Sequence, residues 1–190
     1  DFIDNNSDIL EMKEEKEWIL KSNILILEKG TLNISGLNTR LLKIDSDSPN
    51  NLAYSIISRG NLIIDNTNIT SWNSTSNEVP ELSPEIPRAY IWTFWNSAGK
   101  TNITNSFFEN LGYKSHLGTT GLAFFSGDGS LIQNNTIINN YFGLHFANKV
   151  SNITIKNNNI SKSQFDGINL DSNTNNIDIQ QNRIFENNFH

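Results

Sequence analysis

The chain contains no cysteine, so neither a disulfide framework nor a thiolate metal site is open to it. No cluster of other side chains has metal-ligand spacing and no glycine-rich phosphate loop precedes a helix, so no metal and no cofactor is expected. No apolar run reaches the roughly 18 residues that a membrane span requires, and Asp1 opens a polar segment rather than a charged-then-apolar signal. Basic clusters are missing too. Fourteen Lys and Arg stand against 20 Asp and Glu, a formal charge of −6, and no patch is suited to a phosphate backbone, so nucleic acid is not an expected partner. Helix formers such as Ala and Glu are sparse in the C-terminal part, which argues against helical repeats.

What the chain does have is asparagine, its most abundant residue, and a repeat. Gly121-Leu122-Ala123-Phe124, Gly143-Leu144-His145-Phe146 and Gly167-Ile168-Asn169-Leu170 each open a unit of about 22 to 24 residues, a period typical of solenoids. Within each unit follows a second alternating stretch: Ser130-Leu131-Ile132, Ile153-Thr154-Ile155 and Ile177-Asp178-Ile179. Three residues on stands Asn135, Asn158 or Asn182, and two further Ile137, Ile160 or Ile184. The frame extends upstream through Leu62-x-Ile64-x-x-Thr67-x-Ile69 and Thr101-x-Ile103-x-x-Ser106-x-Phe108.

Stacked at about 4.8 Å, such coils place isoleucines in inward columns and asparagines in a turn ladder that tolerates left-handed backbone. The leucine spacing of leucine-rich repeats is absent. The expected fold is all-β, a single-stranded right-handed parallel β-helix, with Ile132, Ile155 and Ile179 in one column.

Residues 1–17 are expected to form a capping or leader segment, with the charged stretch Asp8–Glu17 as one or two amphipathic helical turns. The β-helix is expected over 18–190. Strands are read at Trp18–Leu20, Ile24–Leu27, Leu32–Ile34 and Leu41–Ile44, with Asp45–Asn51 as a loop. Ser74–Arg88 holds all but one of the four prolines and reads as a long excursion from a coil, a favoured place for a binding surface. The last unit stops at His190, where the next glycine is due, so the solenoid is expected to continue or to associate end to end through an open coil. Asn5, Asn33, Asn68, Asn73, Asn102, Asn134, Asn152 and Asn159 head Asn-x-Ser/Thr triplets, which suits a glycoprotein at an extracellular or cell-surface location.

Ser58-Arg59-Gly60-Asn61-Leu62-Ile63-Ile64, Ile69-Thr70-Ser71-Trp72-Asn73, Pro87-Arg88-Ala89-Tyr90-Ile91 and Phe108-Glu109-Asn110-Leu111-Gly112-Tyr113 together resemble, in that order, the core of the mannuronan C5-epimerase group of right-handed β-helix proteins. The resemblance implies an enzyme that inverts C5 of uronic acids within a polysaccharide bound in a groove. The C5 proton is removed by a base while a cation or hydrogen-bond donors neutralise the neighbouring carboxylate. Elimination from the same carbanion would give a lyase. In the family an Asp-Pro-His-Asp string supplies the base; at the matching position this chain reads Asn169-Leu170-Asp171-Ser172.

The missing histidine has one substitute. His145, second after Gly143, should stand beneath Asn169 and beside Asp171, so His145, Asp171 and Asn169 are the candidate catalytic group. Arg88, inside the resembling string, could grip a uronate carboxylate bidentately, and Tyr90, Trp92, Trp95 and Tyr113 offer faces for sugar rings. Lys114, His116 and Lys149 read as surface charge. Two readings stay open: a non-catalytic β-helix that binds polysaccharide or builds a surface or fibrous structure, and a uronate C5-epimerase or lyase with a substituted site.

Overall fold

Each repeat alternates inward apolar residues with outward polar ones, and three such stretches separated by turns close one triangular coil. The computed structural model describes residues 8–47 and 50–189. Residues 1–7 of the expected 1–17 capping or leader segment, Asn5 among them, lie outside them, as do Ser48 and Pro49 of the expected 45–51 loop and His190. Six coils stack, the first built from strands Ile24–Ile26, Thr31–Ser35 and Leu41–Asp47 and the last from Ile168–Leu170, Asn175–Gln180 and Arg183–Phe185. The coils contribute to three sheets. We call sheet B the six-stranded sheet that takes the first strand of each coil, sheet C the six-stranded sheet that takes the second, and sheet A the nine-stranded sheet that takes the third. All pairings between coils are parallel, so the protein is the expected parallel β-helix.

The columns fall where the repeat places them. Ile64, Ile103, Ile132, Ile155 and Ile179 are paired in succession in sheet C, and Ile69, Phe108, Ile137, Ile160 and Ile184 in sheet A. The members on the middle coils are fully buried, whereas Ile179 is 43% exposed because no described coil stacks over it.

Between the second and third strands runs the asparagine ladder. Asn158 Nδ2 donates to Ile132 O and to Asn182 Oδ1, both at 2.9 Å, while its Oδ1 accepts from Asn135 N and Nδ2, also at 2.9 Å. Ser106 and Thr67 extend the ladder upward through Ser106 N to Asn135 Oδ1 (3.0 Å) and Thr67 N to Ser106 Oγ (3.1 Å). The left-handed backbone belongs to the residue before each ladder member, at Asn66, Asn105, Asn134, Asn157 and Gln181. The two tasks that the sequence reading gave to one asparagine column are thus divided between adjacent columns.

Three local expectations are corrected. The charged stretch forms no helix: Leu10–Glu14 pairs antiparallel with Glu17–Leu20, a hairpin that closes sheet A at the N-terminal side. An edge strand bearing Glu11, Lys13 and Glu14 covers the stack with groups that discourage further strand addition. The region read as a loop from Asp45 stays extended to Asp47 and folds back as a short antiparallel ladder with Leu52–Ala53. The glycines do not form one straight column. Gly143 lies so close to the next coil that a Cβ there would stand 2.2 Å from Gly167 O, but the register slips by one residue between Gly121 and Ala123. Gly121 absorbs the slip with φ +117°, a conformation that side chains disfavour.

Among the Asn-x-Ser/Thr positions, Asn33, Asn68, Asn134 and Asn152 are exposed. Asn73 is buried, its Oδ1 accepting from Thr75 N and Ser76 N.

Asn158→Ala removes an acceptor from two buried donors on Asn135 and a donor from the Ile132 carbonyl. We expect it to lower the unfolding free energy by about 2–4 kcal/mol. Asn134→Gly, in the neighbouring exposed left-handed column, should change it by less than about 1 kcal/mol. Urea denaturation followed by circular dichroism checks both; equal costs would show that the ladder has no special role.

Candidate functional site

Alternation along sheet B sends Ile56, Ile91, Leu122 and Leu144 into the core and turns Ile57, Trp92, Ala123, His145 and Asn169 outward in one column. His145 therefore lies directly against Asn169 on the next coil, as the repeat predicts. Asp171 follows the last strand of the sheet, and its Oδ2 stands 3.1 Å from His145 Nε2. On the other side of the ring, Nδ1 stands 2.9 Å from Thr120 Oγ1. The ring stacks on Phe142 at 5.1 Å, meets Phe125 edge-on at 5.5 Å, and is 2% exposed.

This network fixes what His145 can do. A carboxylate at Nε2 requires a proton on that nitrogen, so in the neutral ring Nδ1 accepts from the Thr120 hydroxyl. In the charged ring Nδ1 donates instead, and the hydroxyl donates its own hydrogen bond to Leu117 O at 3.1 Å. In either state neither nitrogen is free. Asp171, with 39% of its side chain exposed, is the member of the pair that faces solvent.

The pair opens into a cleft of about 470 Å³. Tyr141, Phe142 and Phe165 form its aromatic wall, and Asn169 and Asp171 its polar side. The opposite wall is a second excursion that the sequence reading did not separate, between Phe107–Glu109 and Gly121–Phe124. Lys114 N donates to Pro84 O at 2.6 Å, which ties this excursion to the proline-rich one. His116 caps the short 3₁₀ turn Leu117–Thr119 by accepting from Gly118 N at 3.2 Å. Lys114 and His116, read from sequence as surface charge, line the cleft. Burial holds the phenols of Tyr113 and Tyr141 above their ordinary range, so both remain neutral donors at neutral pH.

Arg88, Tyr90, Trp92 and Tyr113, also singled out from sequence, lie behind the cleft, whereas Trp95 is half-exposed beside it. Tyr90 packs 6.4 Å from Tyr113 and edge-on to His116, while Trp92 is 9% exposed beneath Gly118, where a Cβ would meet the indole at 2.6 Å. They brace the excursion. Arg88 has no exposed surface, and the bidentate grip on a ligand carboxylate read from sequence is not available to it here. Its guanidinium donates to Asn139 O at 3.3 Å and to Gln164 Oε1, and its Nε has no partner among the described residues. Desolvation lowers its pKa to about 10, which still leaves it charged at neutral pH. Phe142 and Phe165 were within reach of sequence reading, since an aromatic precedes both coil-opening glycines in Phe142-Gly143 and Phe165-Asp166-Gly167. Thr120 was not, because the register slip at Gly121 brings it to His145.

Arg88→Ala, which leaves the Asn139 carbonyl and the Gln164 amide without their partner, should cost about 2–4 kcal/mol of stability. Arg88→Met, which keeps volume without charge, should cost clearly less. Thermal or urea unfolding decides, and a loss below about 1 kcal/mol in the alanine variant would show that Arg88 does not clamp these turns.

The chain shares its fold with crystal structures of the periplasmic alginate epimerase AlgG. One AlgG structure is 17% identical, with a TM-score of 0.65, over 83% of this chain and 44% of that one. A singly substituted AlgG is 18% identical, with a TM-score of 0.64, over 95% and 48%. A doubly substituted AlgG is 17% identical, with a TM-score of 0.67, over 96% and 50%. The chain thus spans about half the length of these proteins, and identities this low speak to the fold alone. No curated protein matches it.

A family model described as "Periplasmic copper-binding protein (NosD)" matches residues 49–189. The described residues do not fit a copper centre. The soft thiolate is absent, the single methionine, Met12, is far out on the N-terminal hairpin at 61% exposure, and both nitrogens of His145 are engaged. Among the described residues no three His, Cys, Asp or Glu side chains converge. The match nevertheless runs through most of the chain and through the coils that build the cleft, and the chain belongs to the NosD family.

Proposed function

We propose that this protein is an extracytoplasmic β-helix that binds polysaccharide in the cleft beside His145 without epimerising it. The periplasmic descriptions of the NosD family and of AlgG support the location, and the alginate epimerase, similar in fold, supports the ligand class. The cleft's chemistry agrees. An aromatic wall of Tyr141, Phe142 and Phe165 suits the apolar faces of sugar rings, and Asp171, Asn169 and Lys114 suit their hydroxyls.

The observation that carries the non-catalytic reading is the double engagement of His145. Abstraction of a C5 proton needs a base with an open lone pair within hydrogen-bond reach of the sugar. His145 is almost fully buried, and its two nitrogens are taken by Thr120 and Asp171. The cation that would offset the uronate carboxylate is also weakly provided: Arg88 is sealed beneath the surface, and Lys114 is 65% exposed and partly offset by Glu85 at 3.4 Å. In this reading His145 holds the Asp171 carboxylate in place as a hydrogen-bond acceptor for a sugar hydroxyl.

Affinity electrophoresis in gels containing neutral and uronate polysaccharides is the direct test. At least one polymer should retard the protein, and Asp171→Ala should weaken the retardation about fivefold or more, the worth of a charged hydrogen bond. Proton NMR of polymannuronate incubated with the protein should stay unchanged. Guluronate signals that disappear with His145→Ala would overturn the non-catalytic reading, and no retardation by any polymer would overturn binding.

A further inference from the structure

The cleft beside His145 does not stand alone on this face. A depression of about 240 Å³ adjoins it and shares Leu117 and Asp171 with it. A third, of about 430 Å³, shares Phe125 and Asn148 with the second. The first lies over the starts of the sheet B strands, around Thr120, Phe142 and Phe165. The third lies over the turns that follow those strands, around Ser97, Gly127 and Lys149. In succession they make one trough that follows the strand direction, across the face rather than down the stack.

At the middle of this trough stands Trp95. It is 47% exposed, yet its ring lies parallel to Phe125 at 6.2 Å and 7°, and it also packs against Phe94 at 5.6 Å and edge-on to Trp92 at 6.0 Å. An aromatic ring so braced and still open is a rigid apolar surface in an otherwise polar trough. Large apolar groups left exposed in this way mark binding sites more often than single surface leucines do.

The charge along the trough is balanced. Lys114 stands at one end and Lys149 at the other, with Asp171 at the junction of the first two depressions and Asp128 in the third. Between them the lining is amide and hydroxyl, including Asn148, Asn173, Ser126 and Ser172. A polyanion would meet two carboxylates here on a chain whose net charge is already −6. A chain of uncharged sugars meets amides and hydroxyls that can both donate and accept, and an aromatic platform at its centre.

On the basis of the polysaccharide reading above, we propose that the ligand is a neutral polysaccharide lying across the coils through all three depressions, with one sugar ring stacked on Trp95. The cleft beside His145 is then one subsite of a longer site. Affinity should rise with chain length until the trough is filled, and the increment should depend on Trp95.

The test uses intrinsic tryptophan fluorescence and calorimetry on the whole chain. The probes are neutral oligosaccharides, short and long, from β-glucan, mannan and galactan series, with oligomannuronates of the same lengths. The expected result is that one neutral series binds more tightly as it lengthens. Trp95→Ala should reduce the affinity for its long member about tenfold and barely affect the short one, and Trp95→Phe should restore most of the loss. Trp95 is half exposed, and circular dichroism of each variant verifies the fold. Equal binding of short and long oligomers, or long-chain binding indifferent to Trp95→Ala, would overturn the extended trough while leaving the cleft as the binding site. Preference for oligomannuronate would overturn the neutral ligand class. Absence of binding by every probe would overturn both this inference and the polysaccharide reading on which it rests.

Discussion

Parallel coils stacked about 4.8 Å apart oblige each side chain to be compatible with its equivalent on the coil before and the coil after. An inward position must be apolar on every coil, because a lone polar group there would meet only isoleucine or phenylalanine above and below. A buried polar position is tolerated only where its neighbours can complete its hydrogen bonds. Asn135, Asn158 and Asn182 satisfy that condition by serving one another and the carbonyls of Ile103, Ile132 and Ile155. The ladder therefore acts as a register device as well as a set of bonds: a coil slipped by one residue would bring isoleucine against amide throughout the column.

The same constraint builds the site. Because an outward column is not bound to the coil-to-coil apolar packing of the core, it is free to vary, and along sheet B it passes from isoleucine through tryptophan and alanine to histidine and asparagine. His145 gains its partners from three sources: its own sheet places it beside Asn169, the turn after the last strand brings Asp171, and the slip at Gly121 brings Thr120. The excursion from Asn110 to Thr120 then raises a wall over an otherwise flat face. It holds there because Tyr90 and Trp92 support it from beneath, packing against its Tyr113 and His116, and because Lys114 is tied to the proline-rich excursion.

Membership of a family described by copper binding and likeness in fold to an alginate epimerase pull the functional reading in two directions. The function proposed here carries over neither chemistry. Copper would need soft or imidazole ligands that converge, which the described residues do not supply, and His145, with both nitrogens engaged, offers no open lone pair for proton abstraction. What this chain presents on sheet B is a concave, partly aromatic face, the part of a β-helix that varies without disturbing its core.

Much of this was legible in the residues themselves. The spacing of Gly143 and Gly167, the isoleucine columns and the asparagine ladder follow from a period, and a period survives in sequence because stacking demands it of every coil. The pairing of His145 with Asn169 and Asp171 could be read for the same reason, being a matter of counting along adjacent coils. The fate of Arg88 could not. Whether a guanidinium beside a proline-rich excursion faces solvent or turns inward depends on how two loops without repeats settle against each other, and only the packed structure placed it against Asn139 and Gln164. The N-terminal hairpin eluded prediction because a short charged stretch has no intrinsic preference strong enough to outweigh a waiting sheet edge. Thr120 and the wall formed by Lys114 and His116 likewise belong to the tertiary structure alone: a one-residue slip and an insertion break the period, and where the period breaks, position in the sequence no longer gives position in space.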